Sequence, residues 1–253
     1  MESYISPEAL HVAVPKGFKG GAYFGVEKPN AEVDFNLKSA AQPIKWSEYI
    51  IPSDDQGKEQ SCVGRSWAGW LEAMIRYTKG MNAIPKNKQI DASRIYKNAR
   101  DLWWGGNYDD GLYIHQGFYS MIDLGVIPVD TKLFCYKSTY QNLQKIVATS
   151  PIVVGHTITE GWFTTLPNGC INHTLQGKYA LGGHAILEIG CIKNSDQDAV
   201  LFQNSWGEKW GFNGLGIMNS EYWYQTVDNV FYTAQFGSKW KDFKGYEKFL
   251  IPA

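Results

Sequence analysis

The sequence predicts an α+β protein, a helical half followed by a strand-rich half, and three observations carry that expectation. Helical periodicity dominates the chain up to about residue 150, β-branched runs separated by turn residues dominate from Pro151 onward, and the composition is apolar enough to cover both. Of 253 residues, 44% are hydrophobic and 15% aromatic against 19% charged. That balance excludes a disordered or collagen-like chain. At roughly 100 to 200 residues per domain, the length allows one large domain or two lobes sharing a core.

Residues 1–42 carry Pro15, Gly17, Gly20, Gly21 and Pro29 without sustained periodicity and read as an extension of irregular or short extended pieces. Beyond it, helical patterning runs to about residue 150 and strand patterning begins at Pro151. A polar turn ending at Ser61 feeds a helix on which Trp67, Trp70, Leu71, Met74 and Ile75 form one buried face, ending near Gly80. A second helix starts with Asp91 as N-cap and puts Ile95, Tyr96, Ala99 and Leu102 on one face. A third runs from about His115 to Leu124 and stops at Gly125. The runs PIVVGHTI, HAILEIGCI, AVLFQ and GLGIM then read as strands.

With 24 basic and 25 acidic residues the formal charge is −1, which argues against nucleic acid as a partner. No apolar run reaches the roughly 18 to 20 residues of a membrane span, and the first residues lack the basic-then-apolar order of a signal peptide. No membrane contact and, by default, a cytoplasmic location are expected. Four cysteines, Cys62, Cys135, Cys170 and Cys191, show no Cys-x-x-Cys pair, and the histidines show no metal spacing. Neither a metal nor another cofactor is expected.

Of the four thiols, only Cys62 falls at a helix N-terminus, where the macrodipole and unpaired N–H groups favour thiolate. The others read as small buried apolar residues. A thiolate nucleophile needs a base, a group that orients the base, and donors for the oxyanion. His184 follows a Gly-Gly pair and opens a strand, and Asn204 closes another before Ser205-Trp206-Gly207. On placement alone, His184 reads equally well as a satisfied core histidine.

The motifs decide between these readings. The segment from Asp55 to Gly64, DQGKEQSCVG, resembles the nucleophile segment of papain-family (C1) cysteine peptidases in the form common among bacterial relatives. Gly182-Gly183-His184-Ala185 resembles the family's histidine strand, and QNSWGEKWGFNG from Gln203 to Gly214 resembles its asparagine motif almost residue for residue. His184 and Asn204 lie 122 and 142 residues downstream of Cys62, near the roughly 130 to 150 typical of papain-like proteases. The similarity spans roughly Pro43 to Phe236, which implies a peptidase domain over 43–236, with a helical lobe over about 55–150 and a β-rich lobe over 151–236, followed by a tail over 237–253.

This resemblance implies a papain-like fold with an active-site cleft between a helical and a barrel-like β-rich lobe, and an endopeptidase acting on peptide or protein substrates. Carried over position by position, Cys62 is the nucleophile, His184 the base then acid, Asn204 the orienting amide and Gln56 the side-chain oxyanion donor. Trp206 would cover the Asn204–His184 hydrogen bond, with Trp210 behind it. Gly111 would approach the substrate backbone, and Gly155 and Ala185 would line an apolar subsite with room for a bulky residue. Ser66 offers a rival nucleophile alignment, but its distance from Gln56 is too long.

The chain also departs from the pattern. Glu59 and Gln60 replace a cysteine and a glycine before the nucleophile, Val63 replaces an aromatic residue, and Asp109 stands where another bridge cysteine is expected, so no disulfide is expected. Trp103 and Trp104 read as a groove wall or as packing at a helix end, Asp109 and Asp110 as a solvated turn, and Asn172-His173-Thr174 as a glycosylation sequence without consequence. The extension 1–42 is expected to contact the cleft and restrain activity. Alternatives are a cysteine amidase acting on cell-wall peptide, and a non-catalytic binding protein that keeps the fold.

Overall fold

The computed structural model describes the side chains of residues 43–52, 54–85, 87–105, 111–166, 168–171, 180–193 and 197–253, and the backbone of residues 22–23. Asp109, Asp110 and Asn172 to Thr174 lie outside them.

The periodic apolar face of the first segment forms helix α1, Cys62–Lys79, closed by Gly80. Trp67, Trp70, Leu71 and Ile75 are all fully buried along it. A buried tryptophan must also satisfy its indole N–H. Trp67 Nε1 donates to the Ile114 carbonyl at 2.7 Å and Trp70 Nε1 to Ser150 Oγ at 3.2 Å, tying α1 to both halves of the chain. Helix α2, Ala92–Trp104, begins as expected, with the Asp91 carboxylate accepting the Arg94 N–H at 3.0 Å. Its buried face is Ile95, Tyr96 and Ala99. The pattern breaks at Leu102, which is 50% exposed, and Trp103 and Trp104 are 41% and 47% exposed, so neither tryptophan packs into the core. Helix α3, Ile114–Asp123, lies across α1. Its Gly117 makes this approach possible, because a Cβ there would come within 2.8 Å of the Trp67 and Val63 side chains.

The second lobe is built on a six-stranded antiparallel sheet in the order β4-β9-β5-β6-β7-β8. These strands are β4 Lys132–Lys137, β5 Ile152–Ile158, β6 Gly182–Ile192, β7 Ala199–Gln203, β8 Leu215–Asn219 and β9 Val227–Gln235. The edge strand β4 comes from before Pro151, as does the short helix α4, Tyr140–Val147, and a further helix α5, Ser220–Thr226, precedes β9. Helix α1 packs on β5 and β6, so the sheet and the helical layer share one core.

Three two- or three-residue strands complete the frame: β2 Lys88–Ile90, β3 Leu112–Tyr113 and β10 Leu250–Pro252. After β9 the tail crosses back to the helical side. Trp240 stacks on Phe236 with centroids 3.5 Å apart and donates to Thr78 Oγ1 at 2.9 Å, and β10 pairs with β2. One strand comes from the extension: β1, Ala22–Tyr23, runs parallel to β3, with Ala22 opposite Leu112 and Tyr23 opposite Tyr113. No helix among the described residues is long and apolar enough to cross a membrane.

Candidate active site

Cys62 is the first residue of α1 and is 0% exposed. Its neighbour Ser61 is the N-cap, yet the Ser61 hydroxyl makes no cap bond and instead accepts from Arg65 Nε at 3.0 Å. The N–H groups of the first turn are therefore not taken up by a side-chain cap, which leaves the positive end of the helix facing the thiol. The turn before Cys62 is held without a disulfide. Glu59 accepts from Ser93 Oγ at 2.6 Å and pairs with Arg65 at 3.7 Å and Lys97 at 3.6 Å, while Arg65 also pairs with Asp54. This network joins the turn to α2 where a cysteine bridge was missing from the sequence. None of the four cysteines is in a disulfide.

His184 lies near the start of β6 and is also 0% exposed. Its Nε2 is 2.7 Å from Asn204 Oδ1, which also accepts the Ser205 N–H at 2.8 Å. Both contacts put donors on that atom, so Oδ1 is the acceptor and Nε2 carries a hydrogen. The other ring nitrogen, Nδ1, has no hydrogen-bond partner among the described residues. Burial pushes the His184 pKa down to about 4, opposed by the Asn204 bond and aided by His156. The imidazole is thus neutral at pH 7 with the site closed.

Aromatic rings enclose this pair. Trp206 covers His184 with centroids 4.9 Å apart and is itself covered on its far side by Phe163 at 5.1 Å. Trp210 meets Trp206 edge-on at 5.7 Å and donates to the Trp162 carbonyl at 2.7 Å. Trp162, fully buried, sets its ring perpendicular to His184 at 6.0 Å. Neither Trp162 nor Phe163 was singled out in the sequence. Their signal was an aromatic pair directly after a strand, which has no fixed spacing from the other motifs.

The Gln56 loop meets the Asn204 loop through three contacts. Gln56 N donates to the Ser205 carbonyl at 2.9 Å, Ser205 Oγ donates to Gln56 Oε1 at 2.6 Å, and Asp55 forms a β-bridge with Trp206. Gln56 Nε2 spends one hydrogen on the Glu59 carbonyl at 2.9 Å, and an amide has a second. Gly155 and Ala185 are register partners in adjacent strands and are both buried. Gly111 adopts φ +89°, a conformation that excludes ordinary side chains, and leads directly into β3. Ser66 sits one turn beyond Cys62, inside α1. Among the described residues no cluster of His, Cys, Asp or Glu is able to hold a metal ion.

Comparison with known proteins places the chain in a family. The model of the papain family of cysteine proteases matches residues 59–233. Zingipain-2 of Zingiber officinale is 23% identical over 188 residues, covering 68% of this chain and 84% of that protein. A probable cysteine protease of Arabidopsis thaliana is 24% identical over 203 residues, covering 72% of this chain and 53% of the relative, so the chain spans about half of that protein's length. Among solved structures, xylellain, a cysteine protease from Xylella fastidiosa, superposes with a TM-score of 0.65 at 21% identity, covering 87% of this chain and 97% of that one. Digestive procathepsin L2 from Tenebrio molitor gives 0.58 at 16% identity, covering 92% and 81%. These likenesses carry the papain-like α+β two-lobe fold.

Proposed function

The chain belongs to the papain family of cysteine proteases and is a papain-like cysteine peptidase, and we propose that it hydrolyses peptide bonds through a thioester formed on Cys62. The observation that carries this reading is the oriented imidazole. Nε2 of His184 is committed to Asn204 and covered by Trp206, so proton exchange falls to Nδ1.

In this reading the Cys62 thiolate attacks the substrate carbonyl carbon while His184 carries the proton as imidazolium. The oxyanion is met by the Cys62 backbone N–H and the second hydrogen of Gln56 Nε2, whose loss costs on the order of 10² to 10³ in rate. Collapse breaks the C–N bond, and Nδ1 gives its proton to the leaving amine. Water then attacks the thioester, returns a proton to Nδ1 and releases the acid and the thiolate. Cys62→Ala is expected to abolish hydrolysis, and an epoxide affinity label is expected to modify Cys62. Retained activity in the variant, or labelling of another cysteine, overturns the assignment.

The small pair Gly155 and Ala185 leaves room for a bulky apolar substrate side chain, to be read by profiling a peptide library. The extension is proposed to restrain the enzyme. Support comes from β1, which adds a parallel strand to β3 just past Gly111 and lies beside β6 of the other lobe, together with the complete burial of Cys62 and His184. A chain starting near Ala41 is expected to cleave peptides faster than the full chain, and equal rates refute the restraint.

A further inference from the structure

Behind the catalytic strand lies a buried polar pair that the proposed reaction does not use. His156 on β5 and Glu188 on β6 are both 0% exposed, and His156 Nε2 lies 3.1 Å from Glu188 Oε1. The same oxygen accepts Trp223 Nε1 at 2.5 Å, while Oε2 has no hydrogen-bond partner. On the other side of the ring, Nδ1 is 2.9 Å from Thr226 Oγ1, which donates its only hydrogen to the Tyr222 carbonyl at 2.9 Å.

One arrangement of hydrogens satisfies every partner of the ring. With the Thr226 hydrogen on the Tyr222 carbonyl, Nδ1 of His156 donates to Thr226 Oγ1. Nε2 faces an oxygen that already receives a short bond from Trp223, the pattern of a carboxylate accepting two donors. A ring that donates at both nitrogens is an imidazolium. Two buried opposite charges in direct contact satisfy each other, whereas either alone would be costly.

The pair is not symmetric with respect to the active site. His156 is the register partner of His184 across β5 and β6, and cross-strand partners have Cβ atoms about 5 Å apart. Glu188 stands four residues farther along β6, roughly 13 Å at the rise of a strand. His156 is therefore rooted nearer His184 than Glu188 is, with the Trp162 ring 6.2 Å from His156 and 6.0 Å from His184. The other titratable groups near the pair are Tyr140 of α4 and Cys191 of β6, followed by Asp198. Burial above all, with Glu188 among the charges that add to it, pushes the tyrosine and the thiol upward, the thiol to about 12, so both stay neutral.

We propose that Glu188 holds His156 as a permanent buried imidazolium, and that this fixed cation is a positioning residue whose field limits how readily His184 takes up a proton. This rests on the reading of His184 as base and acid. His156 takes no part in the bond changes and acts only through the neighbouring ring. By disfavouring a second positive charge beside it, His156 moves the alkaline limit of the active thiolate–imidazolium pair to lower pH.

Glu188→Gln tests this with little change of shape. The glutamine oxygen in the place of Oε1 still accepts from both Trp223 and His156 Nε2, but it carries no charge to hold a second proton on the ring, which is left neutral and singly protonated. The alkaline limb of the kcat/KM profile is expected to rise by about half to one pH unit, with KM unchanged. An unmoved limb in a folded, active variant overturns the proposal. Nitrogen-15 spectra of labelled histidine in the wild-type chain supply a readout independent of turnover. They are expected to show both ring nitrogens of His156 protonated at neutral pH, and only one in the variant. A singly protonated His156 in the wild type overturns the proposal even in an active enzyme. An inactive wild type with a doubly protonated His156 instead strikes the proposed peptidase reaction.

Discussion

Glu72 lies inside α1, where its carboxyl accepts the Ile90 N–H at 2.6 Å and is fully buried. Desolvation pushes its pKa up to about 8, with the Ile90 bond and Arg76 pulling the other way, so it is a neutral acid at pH 7. An unfolded glutamate ionises near 4.5, so stability is complete below that value and is lost as pH rises toward 8, by at most about 1.4 kcal/mol per unit. Glu72→Gln keeps the acceptor and removes the titration. It is expected to raise the melting temperature at pH near 8 and to leave it nearly unchanged near 4.5. At this scale Cys62, His184, Asn204 and Trp206 were legible because their motifs occur in a fixed order. His156 and Glu188 were visible only as polar residues inside apolar runs, and nothing local announced that they would meet.

The turn carrying Glu59 belongs to the scale of elements. It clips the approach to α1 onto α2 through Ser93 and Lys97, and its carbonyl holds Gln56. Glu59→Ala is expected to cost about 1 kcal/mol in a urea titration, since the pairs are partly exposed, and to lower kcat more than it changes KM. Helices α1 and α2 and strand β7 were legible because each carries its own signal: a long apolar face, an Asp cap, or a compact β-branched run. Helix α4 has an apolar face of Tyr140, Leu143, Ile146 and Val147, but only eight residues in which to display it. Strands β4 and β9 were missed for another reason. Each is stabilised by the other across nearly a hundred residues of chain, a pairing that no local window contains. The exposed end of α2 shows the converse, a helical pattern that continues past the core it seemed to address.

For the whole molecule, the tail and the closed site set the stability. Trp240, Tyr246 and Phe249 are buried against the helical side, each worth about 1.5 to 3 kcal/mol, and Lys79 lies 4.5 Å over the Trp240 ring. Ending the chain at Phe236 is expected to remove several kcal/mol, a large share of an ordinary domain's stability, and to lower the urea midpoint accordingly. The buried His184 adds a pH dependence of the opposite sign to Glu72. Its folded pKa of about 4 lies below the unfolded 6.5, so stability is full above 6.5 and falls as pH drops toward 4. The closed form is expected to loosen in that window, seen as faster hydrogen exchange at β3 and β6 and as an earlier onset of peptide cleavage.

The Glu59 network has a practical side for anyone handling this enzyme. A thiol nucleophile must be kept from oxidising, which calls for dithiothreitol or a similar reductant. With Cys62, Cys135, Cys170 and Cys191 all unbridged and the nucleophile's turn fastened by charge, such treatment has no crosslink to break. The vulnerability moves instead to ionic strength, so that a concentrated salt buffer, harmless to a disulfide, is the condition to avoid during storage.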